Sequence, residues 1–123
     1  MRLSNDEWKK KLTAQQYRVL IEKGTDPRFM SFEFGDDVSI LSCVGCQNPL
    51  FALSDKYESS SGWPSFIRPV NDTALEEMPD FTHGMNRIEV ICSKCKGHLG
   101  HVFDDGPKPT GKRYCINGSI LSK

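Results

Sequence analysis

The chain has no excess of charge of either sign, because Lys plus Arg and Asp plus Glu each number 16 among its 123 residues. It has no apolar run near the roughly 20 residues that a membrane-spanning helix needs. Its first residues, MRLSNDEWKKKL, contain no apolar stretch like that of a secretory signal. Balanced charge argues against a nucleic acid or an anionic membrane as the main partner. We therefore expect a soluble, cytoplasmic protein that binds neither.

No low-complexity segment and no linker-like change in composition divides the chain. A length of 123 residues is typical of one domain, so we predict a single domain over residues 1–123. Hydrophobic residues make up only 37% of the sequence. The core is therefore modest in size, and an additional brace would help to stabilise it.

The first 24 residues carry the signatures of two short helices. Ser4 with Glu7, and Thr13 with Gln16, have the spacing of the capping box that starts a helix. Gly24 is suited to ending the second helix. We predict a helical N-terminal segment that packs on the outside of the main body.

From residue 32 to residue 121 the pattern changes to short apolar runs separated by Gly, Pro, Asn and Asp. Five of these runs have the length and composition of strands: VSILSC, LFAL, RIEVIC, GHVF and RYCIN. The stretches NDTALEEMPDFTHGMN and DDGPKPTGK are rich in turn residues, and we expect ordered loops there. The main body is predicted to be mainly β.

Four of the five cysteines form two C-x-x-C pairs, Cys43 with Cys46 and Cys92 with Cys95. Two such turns supply the four sulfur ligands of a tetrahedral zinc ion, or of iron held in the same way. Two disulfides or four reduced core thiols are the alternatives. Four sulfurs saturate the metal, so we expect one structural zinc ion per chain.

The fifth cysteine, Cys115, lies in the strand-like run RYCIN. Alternation along a strand places Arg113, Cys115 and Asn117 on one face, and Tyr114 and Ile116 on the other. The apolar pair then faces the core. A neighbouring guanidinium favours the thiolate, which is the reactive form of cysteine. This pattern predicts a reactive sulfur.

The run KGHLGHVFDDG brings two histidines, His98 and His101, into a glycine-rich stretch. A single histidine is usually an ordinary surface or core residue, but a pair beside Gly97 and Gly100 favours a functional site. Because four sulfurs already satisfy the metal, we expect the histidines to take part in proton transfer.

A third cluster, SSSGWPSF, contains Trp63. Its simplest interpretation is an aromatic core residue beside a serine-rich surface loop.

Taken together, GWPSF, GHLGHVFDDGP, RYCIN and the two C-x-x-C pairs resemble the B-type methionine sulfoxide reductases, which reduce the R epimer of methionine sulfoxide. The resemblance runs from about Phe32 to Leu121 in one collinear order. It implies a mainly β fold with two antiparallel sheets, in a tent-like or sandwich-like arrangement braced by a four-cysteine zinc site. It also implies a role in repairing oxidised methionine.

The same resemblance assigns a role to each conserved-looking cluster. Cys115 is the nucleophile that attacks the sulfoxide sulfur and becomes a sulfenic acid. His98 and His101 bind and protonate the sulfoxide oxygen, while Arg113 and Asn117 help to position the site.

The expected substrate contacts come from the aromatic cluster and from the THGMN stretch. Trp63 is expected to pack against the methyl group of the substrate, as sulfur–aromatic contacts favour. The other two expected contacts are Phe66 and His83.

Two departures from the family pattern affect the expected chemistry. Many relatives carry a second cysteine, which resolves the sulfenic acid, where this chain has Ser61. We therefore expect an external thiol to do this, with thioredoxin first and glutathione with glutaredoxin second. The other departure is Gly118, which stands where relatives have serine, with Ser119 following. The substrate is methionine-R-sulfoxide, free or in proteins, and we expect a monomer.

A non-catalytic, zinc-stabilised β module that binds a small ligand or a protein is the alternative of a different class. It explains the C-x-x-C pairs but leaves Cys115, Arg113 and the histidine pair without a purpose. A zinc-ribbon protein that binds nucleic acid fits less well, because the charge is balanced and 45 residues separate the two C-x-x-C pairs (92 − 46 − 1).

Overall fold

The structure, a computed structural model, describes residues 5–27, 39–57, 59, 61–81, 84 and 86–122. Two helices, α1 (Asn5–Lys11) and α2 (Ala14–Leu20), precede the strands. No helix within the described ranges is long and apolar enough to cross a membrane.

Nine strands form two antiparallel sheets in the described part of the chain. The first sheet has three strands in the order β2-β1-β9, and the second has six in the order β3-β4-β8-β7-β6-β5. Their bounds are β1 Ile40–Cys43, β2 Pro49–Ala52, β3 Lys56–Tyr57, β4 Ser65–Phe66, β5 Leu75–Asp80, β6 Arg87–Cys92, β7 His98–Phe103, β8 Arg113–Ile116 and β9 Leu121–Ser122. Short 3₁₀ turns lie at Leu53–Asp55 and Gly118–Ile120. The predicted fold class, mainly β with two antiparallel sheets, is confirmed.

All five predicted strand-like runs contain a strand, but one predicted loop was wrong. The stretch NDTALEEMPDFTHGMN includes β5, which pairs with β6 along its whole length. It is the edge strand of the larger sheet, and its four central residues are exposed. Because these residues are exposed, the strand lacks the alternation of apolar and polar residues by which a strand is recognised in a sequence. Pro79 is tolerated because one side of an edge strand makes no hydrogen bonds to a neighbouring strand.

The N-terminal helices are confirmed, with one correction at the end of α2. Thr13 and Gln16 form the predicted capping box in both directions. The residue in the left-handed conformation after this helix is Lys23, at φ 61°, and not Gly24. Ser4, the predicted cap of α1, lies outside the described residues.

Aromatic side chains join the two sheets across the core. Phe51 of β2 stacks on Phe66 of β4, with ring centroids 4.4 Å apart and planes 18° from parallel. Tyr114 of β8 adds a third ring 6.1 Å from that of Phe51. Burial of rings of this size dominates the stability of a small core. The opposite face of β4 and β8 is thereby left facing outward.

Candidate active site and candidate metal site

The four paired cysteines meet at one point, although the two pairs are far apart in sequence. Cys43 and Cys46 bound the turn between β1 and β2, and Cys92 and Cys95 bound the turn between β6 and β7. All four sulfurs lie within 4.8 Å of one another. The Cys43 and Cys95 sulfurs are 3.8 Å apart, and those of Cys46 and Cys92 are 3.4 Å apart.

This geometry fits a tetrahedral metal. A Zn–S bond of about 2.3 Å places two tetrahedral sulfurs about 3.8 Å apart. None of these four cysteines forms a disulfide, so the two disulfides of the alternative interpretation are not present. The backbone N–H of Gly45 lies 3.4 Å from the Cys43 sulfur, and the side-chain amide of Asn48 lies 3.7 Å from that of Cys92. Both donors favour thiolate ligands.

The N-terminal helices cover this cluster. Trp8 of α1 and Leu20 of α2 pack so closely on Gly45 that a Cβ there would come within 2.8 Å of each. Leu20 also fills the space beside Gly97, where a Cβ would lie 2.5 Å from it. The two glycines therefore allow an apolar cover to sit directly on the cysteine turns.

Cys115 lies in the middle of the larger sheet, on the face that points away from the core. The predicted alternation is confirmed, because Tyr114 and Ile116 are buried and Arg113 and Cys115 are half-buried. In the register of the sheet, Cys115 stands directly opposite Ser65 on β4 and His101 on β7. Side chains paired in this way have Cβ atoms about 4.5–5.5 Å apart. The sheet itself places an imidazole beside the sulfur.

A β-bulge brings the two histidines to the same side of the sheet. Val90 pairs with Gly100 and Ile91 pairs with His98, so Leu99 has no partner on β6. Residues three apart on a regular strand would point to opposite faces, and the extra residue reverses this. The rings of His98 and His101 lie 5.5 Å apart, edge to face.

Gly100 allows β7 and β8 to approach each other at this point. A Cβ at residue 100 would clash with the carbonyl oxygen of Cys115. The absence of a side chain at residue 100 therefore lets β7 pack closely against the strand that carries the sulfur.

Each histidine is held by its own carboxylate. His101 Nε2 lies 2.7 Å from Asp80 Oδ2, and Arg87 lies 3.4 Å from the same oxygen. His98 Nδ1 lies 2.8 Å from Glu89 Oε2. Burial lowers the pKa of His98, although Glu89 opposes the shift. This shift favours the neutral form of the His98 ring.

Arg113 is fixed beside the sulfur by a bidentate ion pair. Its Nε and Nη2 atoms lie 2.8 and 3.1 Å from the two carboxylate oxygens of Asp105. Its guanidinium also lies 4.4 Å from the centroid of the Phe103 ring. The hydrogen bond to Asp105 raises the pKa of Arg113, and the charge of Cys115 adds a smaller contribution in the same direction. The sulfur thus has a permanent cation nearby.

Three serines border the other side of the sulfur. Ser61 Oγ lies 3.8 Å from Cys115 Sγ. Ser59 Oγ is 2.8 Å from Ser61 Oγ and 2.6 Å from Ser65 Oγ. Ser61, the position at which the resemblance implies a resolving cysteine in many relatives, is therefore next to the predicted nucleophile.

Trp63 and Asn117 are linked through a residue that follows α2. The indole N–H of Trp63 donates to the carbonyl oxygen of Asp26 at 2.8 Å. The backbone N–H of Asp26 donates to Asn117 Oδ1 at 2.8 Å, and Asn117 Nδ2 donates to the carbonyl of Leu99 at 2.9 Å. Both the oxygen and the nitrogen of the Asn117 side-chain amide thus make hydrogen bonds.

A cavity of about 1060 Å³ opens over this face of the sheet. Its wall includes five of the predicted site residues: Trp63, His101, Arg113, Cys115 and Asn117. Two others are not on the wall. His98 is 4% exposed and lies behind it, and Phe66 is fully buried in the core against Phe51. His83 lies outside the described residues.

Sequence reasoning missed the acidic residues that hold the site together. Asp80 lies in the stretch taken for a loop, Glu89 in a strand that reads as a core strand, and Asp26 beyond the predicted helices. Their partners are 21, 9 and 91 residues away, respectively. No local pattern identifies such partners, because each depends on how distant elements pack.

Comparison with known proteins agrees with this geometry. Residues 12–123 match the family model described as the SelR domain. A Leptospira interrogans protein named peptide methionine sulfoxide reductase MsrB is 51% identical over 119 residues, which cover 96% of this chain and 91% of that protein. An Acinetobacter baylyi protein of the same name is 47% identical, over 94% of this chain and 84% of that protein.

A mouse protein named methionine-R-sulfoxide reductase B3, mitochondrial, is 49% identical over 97% of this chain and 47% of its own length. The chain therefore belongs to the SelR domain family.

Proposed function

We propose that this SelR-family protein is an oxidoreductase that reduces methionine-R-sulfoxide, free or in proteins, to methionine. One observation carries the proposal: the register of the sheet sets His101 directly opposite Cys115, inside a cavity that Trp63 also lines. A nucleophile, an acid and an apolar wall are the three groups that sulfoxide reduction requires.

In the first step, Cys115 Sγ attacks the sulfoxide sulfur, and a bond forms between the two sulfurs. The protonated oxygen then transfers to Sγ: its bond to the substrate sulfur breaks, its bond to Sγ forms, and the bond between the two sulfurs breaks as methionine leaves. The sulfoxide gains two electrons and leaves as methionine, while Cys115 loses two electrons and becomes a sulfenic acid. Atoms balance, since the thiol and the sulfoxide together contain all the atoms of the thioether and the sulfenic acid. Arg113, fixed by Asp105, favours the thiolate that starts the attack.

His101 is the acid best suited to protonate the sulfoxide oxygen. Its Nε2 is held by Asp80 at 2.7 Å, which leaves Nδ1 to face a substrate. The imidazolium can give up the Nδ1 proton and keep its Nε2–H on the carboxylate. A general acid placed in this way contributes about 10²–10⁴ in rate.

His98 supports the site from behind the cavity wall. The buried ring packs edge to face against His101 and is oriented by Glu89. The sequence predicted that His98 binds and protonates the sulfoxide oxygen together with His101. In our proposal, His98 instead orients the ring of His101, which donates the proton.

Stereochemical preference follows from three different receptors around the sulfoxide. Trp63 receives the methyl group, His101 the oxygen, and the open mouth of the cavity the rest of the substrate. Asn117 positions the end of β8 through its bonded amide. His83 remains a proposed substrate contact, and Phe66 supports the sheet from the core side.

The sulfenic acid requires a thiol from outside the chain. Ser61 cannot form a disulfide, and the other four cysteines lie together in the metal cluster. An external thiol condenses with the sulfenic acid to give a mixed disulfide and water, and a second thiol releases Cys115 and a disulfide product. We propose thioredoxin as the direct reductant, with glutathione and glutaredoxin as the second choice.

The four-cysteine cluster is proposed to hold one zinc ion. Cys43, Cys46, Cys92 and Cys95 would be its ligands, and the ion would stabilise the fold without taking part in the reaction. We further infer that residues 1–123 form one cytoplasmic, monomeric catalytic domain, with the helical segment 1–24 covering the β core of residues 32–121.

The deciding assay supplies R- and S-methionine sulfoxide with dithiothreitol to the wild type and to Cys115→Ser. We expect turnover of the R epimer by the wild type alone. Equal turnover by both proteins, or none by either, would overturn the assignment and leave a zinc-stabilised binding module. Replacing dithiothreitol with the thioredoxin system, and then with glutathione and glutaredoxin, identifies the reductant.

A further inference from the structure

Asp26 is a buried carboxylate that the proposed reaction does not use. Its side chain is 1% exposed, and among the described residues no Lys, Arg or His side chain pairs with it. A carboxylate without an ion pair is costly to bury unless hydrogen bonds replace its water. Its position therefore calls for an explanation.

Three donors replace that water. Ser119 gives two of them, from its backbone N–H at 2.9 Å and from its hydroxyl at 2.7 Å. Gln15 of α2 gives the third, from its side-chain amide at 2.6 Å. The carboxylate thus ties the segment after α2 to the turn that follows β8, the strand of Cys115.

The backbone of Asp26 makes a connection in the other direction. Its carbonyl oxygen accepts the indole N–H of Trp63, and its own N–H is bonded to Asn117, two residues beyond the nucleophile. In the described structure this one residue joins the strand that carries the sulfur to the aromatic wall of the cavity.

We propose that Asp26 is a positioning residue for sulfoxide reduction: it sets the indole of Trp63 at a fixed place relative to Cys115. The proposal rests on the proposed function. Trp63 precedes β4 and Cys115 lies on β8, and a shift of about 1 Å between reacting groups costs about 10²-fold in rate. The carboxylate, anchored on Ser119, prevents that shift.

The same contacts offer a chemical route to conservative rescue. Asparagine at residue 26 retains an oxygen for the backbone N–H of Ser119, and the Ser119 hydroxyl can turn to accept from the new NH₂ group. The Gln15 amide keeps its orientation, because its oxygen accepts from Arg18 at 3.1 Å, so asparagine preserves the anchor on Ser119 and loses only the bond from Gln15. Alanine at residue 26 retains the backbone hydrogen bonds to Trp63 and Asn117 but loses the side-chain hydrogen bonds to Ser119 and Gln15.

The first test measures kcat and KM for methionine-R-sulfoxide in Asp26→Ala, Asp26→Asn and the exposed control Asp72→Asn. We expect kcat/KM to fall about 10- to 100-fold in Asp26→Ala, to stay within about threefold in Asp26→Asn, and to be unchanged in the control. An Asp26→Ala protein with the wild-type kcat/KM would overturn the inference while leaving the function intact. A wild type without activity would overturn the function itself.

Two further measurements separate positioning from general damage. The rate at which iodoacetamide alkylates Cys115, followed by mass spectrometry, does not involve Trp63 and should be equal in Asp26→Ala and wild type. A slower or faster rate would indicate a disturbed nucleophile and contradict the inference.

The second is a cycle with Trp63→Phe, whose ring has no N–H for the Asp26 carbonyl. On this background we expect Asp26→Ala to reduce kcat/KM by less than about threefold, because the Asp26 carboxylate acts by holding in place a contact that Trp63→Phe has already removed. A loss as large as in the wild-type background would show that Asp26 does not act through Trp63.

Discussion

The five cysteines occupy two regions whose surroundings differ in kind. Four bound two turns between strands, with all their sulfurs within 4.8 Å of one another and with Trp8 and Leu20 packed over the adjacent glycines. Cys115 lies on an open sheet face, among an imidazole, a guanidinium and a serine cluster. We expect the same side chain to serve a structural purpose in one region and a chemical one in the other.

The neighbours of a thiol, and not its sequence spacing alone, decide what it can do. Four sulfurs around one metal would saturate it and leave no open position for a substrate. Cys115 instead lies beside a fixed cation and an imidazole on the wall of a cavity. Changes confined to one region should therefore alter stability or activity separately.

The largest expected effect comes from removing the proposed zinc ion. Apparent zinc binding to four-cysteine sites is worth about 10–16 kcal/mol, as much as the whole stability of a small domain, about 5–15 kcal/mol. We expect a strong chelator to unfold the protein, together with loss of the near-UV circular dichroism signal. A metal-free sample that retains this signal would show that the cluster is not a structural centre.

Replacing Cys115 with serine should separate the two regions most clearly. We expect activity to fall by at least about 10⁴-fold, since the nucleophile is lost, with the melting temperature and zinc content unchanged. The matched change Cys92→Ser should reduce melting temperature and activity together. If Cys115→Ser also lost zinc or unfolded, the two regions would not be independent.

The variant His101→Asn tests whether His101 is the acid that protonates the sulfoxide oxygen. We expect kcat to fall by about 10²–10³-fold, because general acid catalysis of this size is removed, while alkylation of Cys115 stays fast. His98→Asn is the companion variant and should cost less, since this ring is not on the cavity wall. The reverse order of effects would assign proton donation to His98.

Ser61→Cys sharpens the assignment of an external reductant. The hydroxyl oxygen it replaces is 3.8 Å from the Cys115 sulfur, close enough for a disulfide of about 2.05 Å to form with a small rotation. After one turnover without reductant, we expect an intramolecular disulfide in this variant and none in the wild type. Non-reducing peptide mapping distinguishes the two outcomes.

The smallest expected effect is on the pH dependence of stability. Burial lowers the pKa of His98, so the folded protein resists a proton that the unfolded chain binds near pH 6.5. The contribution of His98 to the free energy of unfolding is fully present above about pH 6.5 and decreases as the pH drops below that value. Urea unfolding measures the free energy of unfolding at pH 8 and at pH 5.5. The decrease between these two values should be smaller in His98→Asn than in wild type, at equal zinc content.

Local patterns predicted the parts of the molecule that depend on neighbouring residues. The C-x-x-C turns bring two thiols together by themselves, and alternation along RYCIN placed Cys115 on the outward face. The capping box at Thr13 likewise needs only its own first turn.

The parts that sequence could not predict depend on distant packing. The bulge at Leu99, which turns His98 and His101 to one side, arises from pairing with β6. Strand β5 carries no apolar alternation because it lies at an exposed edge. The contacts of Asp26 join residues 91 and 93 positions apart, and nothing in its own neighbourhood indicates them.

The central claim, that Cys115 reduces the sulfoxide while the other four cysteines stay bound to metal, is tested most directly by a single turnover. Zinc-loaded protein is mixed with one equivalent of methionine-R-sulfoxide and no reductant, then treated with a sulfenic acid trap and mapped by mass spectrometry. We expect one methionine per chain, the trap on Cys115 alone and the zinc retained. A trap or disulfide on Cys43, Cys46, Cys92 or Cys95, or methionine formed with Cys115 unmodified, would contradict it.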